Sequence, residues 1–305
     1  MGKWQAHVAL GVVALIYGAN YVIAKGLMPD PIAPRAFILV RVSGALLLFW
    51  MVRLFVRETI DRKDLPRFLL CGLTGVATNQ ILFFEGLNLT SPVNASIIMT
   101  INPILVMILA GIILHNPITR RKIAGVLIGA AGAITLIAKS GSQDITASWQ
   151  GDVLVLLNAT SYAIYLVIVK PLLLKYKPIT VISWVFLMGL IFVLPAGLGP
   201  FLRTSWGSLD SLAWSKVAFV VVATTFMAYL LNIFALKRVQ PTVASAYIYL
   251  QPIVATIATW LTMPGDHQPF NAVKLLCALF IFVGVWLVSG NPTGRLRVSN
   301  RGVQE

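Results

Sequence analysis

The side chains able to do chemistry in this chain are mostly amides and phenols set among apolar residues. Tyr17 and Asn20 come first, followed by Asn79, Gln80 and Phe83, then Ser96, Thr100 and Asn102. A second set comprises Tyr162 and Tyr165, Tyr229 and Asn232, and Tyr247, Tyr249 and Gln251. Such groups exchange hydrogen bonds without carrying charge, so they can hold an ammonium or a carboxylate, while the rings take an apolar side chain or a cation face. Asn79 and Phe83 are spaced to share one helical face, as are Tyr229 and Asn232. This is chemistry of binding, not of bond making.

Ionisable groups within the apolar runs are few. Lys25, Arg41 and Glu85 are expected in the outer third of a membrane. There they form either a structural ion pair with snorkelling heads, or a charged vestibule that attracts an anionic group and takes part in gating or proton coupling. Lys170 reads as an anchor at the opposite side. Pro103 and Pro252 each remove a backbone donor and leave a carbonyl that polar neighbours must satisfy, which makes them candidate gate positions. No enzyme, metal site or cofactor is expected: His7, His115 and His267 are scattered, and no zinc-ligand spacing, phosphate-cradling loop or nucleophile elbow is present. Cys71 and Cys277 lie in apolar runs and read as buried thiols.

What must position these groups is a membrane. The chain has 305 residues, 58% of them hydrophobic and 11% charged, with a mean hydropathy of +0.85. One soluble core cannot hide that much apolar surface. Segments of spanning length lie near 5–28, 34–56, 66–87, 92–114, 121–139, 151–171, 178–199, 214–236, 241–263 and 271–289. The net charge of +14 sits between these spans, where orientation in the bilayer accounts for it, and no nucleic acid is expected. Placing the N-terminus in the cytoplasm puts most of the Lys and Arg residues there, so the positive-inside rule predicts both termini cytoplasmic in an inner (plasma) membrane.

The spans repeat. Pro92 to Pro103 matches Pro241 to Pro252 with proline on proline, Ala95 on Ala244, Ser96 on Ser245 and Asn102 on Gln251. Tyr17 to Lys25 has the spacing of Tyr162 to Lys170, and Gly132 matches Gly284. Five spans per repeat is an odd number, so the second half enters from the opposite side. The expected fold is an all-α integral membrane protein of ten transmembrane helices as two inverted five-helix repeats. Its parts are 1–139, a linker 140–150, 151–289 and a basic cytoplasmic tail 290–305.

The Tyr-Gly-Ala-Asn-Tyr…Lys pattern of the first span, Arg41 early in the second, and the Pro…Ala-Ser…Pro pattern of the fourth and ninth resemble the EamA branch of the drug/metabolite transporter superfamily. The resemblance implies a basket in which spans 1 to 4 and 6 to 9 surround a central cavity, with the fifth and tenth to one side. It implies kinship with exporters of amino acids and related metabolites, other branches carrying nucleotide sugars or sugar phosphates. Unlike the small multidrug branch, the first span here holds no Asp or Glu.

The reading is a secondary transporter that exports amino acids or related zwitterionic or anionic compounds by alternating access. The alternatives are a sugar-phosphate or nucleotide-sugar exchanger on the same scaffold and a channel-like facilitator. The partners are a small-molecule metabolite and the lipid bilayer, with the protein a monomer or a homodimer.

Overall fold

The computed structural model describes residues 3–25, 27–90, 95, 98–138, 149–251, 253–254, 257 and 272–289. Every regular element among them is helical. α1 is Lys3–Lys25, α2 Pro34–Arg53, α3 Arg62–Leu89, α4 Asn102–Ile113 and α5 Arg120–Ala138. α6 is Trp149–Lys175, α7 Pro178–Arg203, α8 Ser211–Leu236, α9 Pro241–Ala246 with the 3-10 turn Tyr247–Leu250, and α10 Ala272–Ser289.

Local chemistry sets the starts. Pro34, Pro178 and Pro241 open their helices after a residue in extended conformation, where a missing N–H costs nothing and the proline φ already suits the helix. Asp61 caps the entry to α3 by accepting from the Lys63 N–H, and Asp210 caps α8 by accepting from the Ala213 N–H at 2.7 Å.

Among the described residues, five helices are long and apolar enough to cross a membrane: α2, α3, α6, α7 and α8. Their outward faces are studded with large apolar side chains, Leu47, Met51, Leu157, Ile191 and Leu202 among them. A surface of that kind is stable against lipid and not against water.

The packing has a twofold character. α2 lies on α7, α5 on α10 and α4 on α9, while the α3–α6 contact has its counterpart in α8–α1 and the α4–α6 contact in α9–α1. Local irregularities recur in the same register. α3 widens into a π-turn at Leu73–Ala77 and α8 at Val220–Met227, positions that overlap when one repeat is laid on the other. The 3-10 turn Tyr247–Leu250 of α9 answers the Ile101 N–H to Ile98 carbonyl turn just before α4. The break foreseen at Pro103 is this turn, after which Pro103 stands in the first turn of α4.

Candidate functional site

A cavity of about 120 Å³ lies where the two halves meet. α1 presents Leu10, Val13, Ala14, Tyr17 and Asn20 to it, a spacing of three and four that defines one helical stripe. α2 supplies Arg41, α3 supplies Asn79, Gln80, Phe83 and Phe84, and Met99 comes from the turn before α4. From the second half come Asn158 and Tyr162 of α6, Thr224, Tyr229 and Asn232 of α8, Ala244, Tyr247 and Ile248 of α9, and Gln251. Among the described residues, none of the lining comes from α5, α7 or α10.

Hydrogen bonds hold part of this lining in place. Asn232 donates through Nδ2 to the Tyr162 hydroxyl at 2.7 Å, and Asn158 Nδ2 donates to the Asn79 carbonyl at 2.6 Å. The Tyr229 hydroxyl donates to the Gly75 carbonyl at 3.3 Å. Gly75 lies in the π-turn of α3, where the widened backbone offers carbonyls to side-chain partners. Tyr247 and His7 Nδ1 are 2.8 Å apart, joining α9 to α1. Other polar atoms stay buried without a hydrogen-bond partner: Asn20 Oδ1, Asn158 Oδ1 and Thr224 Oγ1. Buried polar atoms are normally satisfied, which sets these apart from the paired groups of the same lining.

The structure gathers ten of the amide, phenol and ring residues singled out from the sequence: Tyr17, Asn20, Asn79, Gln80, Phe83, Tyr162, Tyr229, Asn232, Tyr247 and Gln251. Four others lie off the cavity. Thr100 is buried away from it, and Asn102 donates to the Ala159 carbonyl at 2.8 Å, fastening α4 to α6. Tyr165 packs its ring against Gly75. Tyr249 donates to the Val126 carbonyl at 3.2 Å and packs on Gly129. Pro103 is buried in the first turn of α4, also off the cavity. Ser96, Pro252 and the side chain of Lys25 lie outside the described residues.

The ionisable residues separate. Glu85 receives a hydrogen bond from Arg35 Nε at 2.6 Å in a pair whose side chains are 52% and 26% exposed, and it lines no part of the cavity. Arg41, foreseen in the outer third with Glu85, lines the cavity and is buried. Lys170 gives its ammonium to the carbonyls of Leu236 and Val239, closing the C-terminal end of α8, where a cation meets the negative pole of the helix. Asn158 and Thr224 were missed by the sequence reading. Asn158 had a signal, an isolated amide four residues before Tyr162; Thr224 had none.

Two expected results follow. Glu85→Gln should leave transport and its pH dependence unchanged and shift stability by no more than about 1 kcal/mol, the worth of an exposed ion pair; loss of pH dependence in a flux assay would restore Glu85 to the coupling machinery. Asn102→Ala should lower stability by about 1 kcal/mol, a typical interhelical hydrogen bond in a membrane, with the apparent KM for cargo unchanged. A raised KM at normal thermal stability would put Asn102 in contact with cargo.

A multi-pass helical membrane protein with a cavity between its halves, lined by amides, phenols and one arginine, has the build of a solute carrier. The chain belongs to the EamA-like transporter family, whose sequence profile matches residues 5–138 and 149–290. It is similar to the uncharacterized transporter YyaM of Bacillus subtilis, 24% identical over 294 residues that cover 95% of each chain. It is also similar to a probable terminal-alkyne amino-acid exporter of Streptantibioticus cattleyicolor, 26% identical over 236 residues, 77% of this chain and 76% of the relative. A solved crystal structure shares the fold at a TM-score of 0.75 and 15% identity, covering 94% of this chain and 97% of its own.

Proposed function

We propose that the protein is a secondary carrier that exports amino acids or related small zwitterionic or anionic metabolites by alternating access. In this reading ten spans form two inverted halves, 1–139 and 151–289, joined by 140–150 and followed by a basic tail, with both termini on the cytoplasmic face of the inner membrane. The observation that carries the proposal is the cavity: small, placed between the halves, and lined from both by amides, phenols and rings. Its volume of about 120 Å³ is of the order that holds a benzene-sized molecule. A cavity of that order favours a small metabolite such as an amino acid over a nucleotide sugar. The Streptantibioticus relative, a probable terminal-alkyne amino-acid exporter, supports the same cargo class and direction.

The test is counterflow in proteoliposomes. Vesicles carrying the purified protein are loaded with unlabelled amino acids, and labelled ones are added outside in trace. Transient accumulation of label that disappears when the internal pool is omitted is the expected result. Entry of label that neither saturates nor depends on the internal pool would mean a channel-like facilitator. Exchange confined to phosphorylated sugars would replace the cargo class.

A further inference from the structure

Arg41 is the group in the cavity that the neutral lining does not explain. It is 4% exposed and lines the cavity from α2. Its Nε donates to Thr225 Oγ1 at 3.2 Å, and its guanidinium lies 4.8 Å from the ring centre of Phe84 and 5.7 Å from that of Phe37. The two terminal nitrogens, which carry the four donors of the guanidinium fork, make no hydrogen bond to a described residue. No Asp or Glu among the described residues lines the cavity. A guanidinium stays protonated in proteins, and a buried charge without a counter-charge is strongly unfavourable.

We propose that Arg41 is the residue that binds the cargo's carboxylate, so that the cavity takes small carboxylates and rejects analogues that lack that group. The proposal deepens the carrier reading above and rests on it for the cavity being the cargo site. The chemistry is that of a planar fork facing a planar anion: two terminal N–H groups meet two carboxylate oxygens, a match that an ammonium cannot reproduce. Gln80 brings a further amide to the cavity, and Asn20 Oδ1 and Asn158 Oδ1, which have no hydrogen-bond partner, are acceptors for the ammonium of a zwitterion. A purely cationic cargo would add a second positive charge to the same small space with no acidic group to receive it.

The experiment uses the detergent-purified full chain and thermal unfolding read by intrinsic tryptophan fluorescence. The probes are the common L-amino acids and, for each that stabilises the protein, its amide, which lacks the carboxylate, and its deamino acid, which lacks the ammonium. Stabilisation by the amino acid and the deamino acid but not by the amide is expected. Arg41→Gln and Arg41→Lys should each weaken the response by roughly a hundredfold in apparent Kd, as when one partner of a buried charge pair is removed. The lysine variant keeps the charge, so it separates loss of the fork from loss of the fold. An amide that binds as well as its acid, sodium chloride that protects equally at matched concentration, or a folded Arg41→Gln that keeps its affinity would each overturn the assignment.

The two readings fail differently. If no amino acid exchanges in proteoliposomes but simple monocarboxylates such as pyruvate or 4-methylpentanoate still protect the wild type and not Arg41→Gln, the anion site stands and the cargo class changes. If no carboxylate protects folded wild-type protein, the anion site is wrong.

Discussion

Gly284→Ala is expected to lower the thermal unfolding midpoint in detergent by several degrees and to reduce membrane abundance, while the protein that survives keeps its affinity for cargo. The reason lies in how closely α5 and α10 approach. A Cβ at Gly284 would fall 2.6 Å from the Gly129 Cα, 2.7 Å from the Gly129 nitrogen and 2.7 Å from the Gly125 carbonyl oxygen. All three are backbone atoms, so no rotamer change relieves the overlap and the helices must separate. In a bilayer the association of helices depends on close van der Waals packing, with no hydrophobic force to hold a loosened pair. Overpacking of this kind costs about 1–3 kcal/mol. Gly11 provides the control, since nothing lies within 4 Å of a Cβ placed there. Gly11→Ala should be neutral or stabilising by up to about 1 kcal/mol, the helix-propensity gain of alanine over glycine. Cargo affinity should persist in Gly284→Ala because α5 and α10 line no part of the cavity. An unchanged midpoint would mean that α5 and α10 separate at this contact without cost.

The helices and the polar stripes that face the cavity were legible in the sequence because a lone amide or phenol in an apolar run must turn away from lipid. That rule separates inside from outside but does not say which inside. Tyr162 and Tyr165 are three residues apart on α6, yet one lines the cavity and the other packs against Gly75. Tyr247 and Tyr249 divide in the same way, one into the cavity and one onto α5. The π-turns were invisible to hydropathy, because an extra residue per turn leaves composition untouched while rotating everything beyond it. Gln80 of α3 and Tyr229 and Asn232 of α8 all follow such a turn, so their final directions depend on it. The surroundings of Arg41 were hidden for a related reason. Counting residues along α2 gives its depth from the surface, whereas its surroundings are set by α8, whose π-turn carries Thr225 to its Nε.

That contact makes Thr225 a positioning residue for the proposed anion site, and Thr225→Val is expected to weaken carboxylate binding by roughly tenfold or more, the loss of a hydrogen bond to a charged group. The hydroxyl accepts from Arg41 Nε at 3.2 Å and donates to the Val220 carbonyl at 2.7 Å, five residues back along the π-turn. One oxygen therefore ties the guanidinium to the local backbone shape of α8. Valine has nearly the same outline but neither bond, so Arg41 would be free to rotate about its long side chain, and ordering it would fall to the cargo. Thr225→Ser keeps the oxygen and should restore binding. A general loss of packing would weaken binding of every probe and lower the unfolding midpoint in proportion. A positioning role instead predicts that Arg41→Gln with Thr225→Val binds carboxylates no worse than Arg41→Gln alone, the non-additivity expected when two residues act through one contact. Full additivity in that double-mutant cycle would show that Thr225 acts on α8 and not through Arg41.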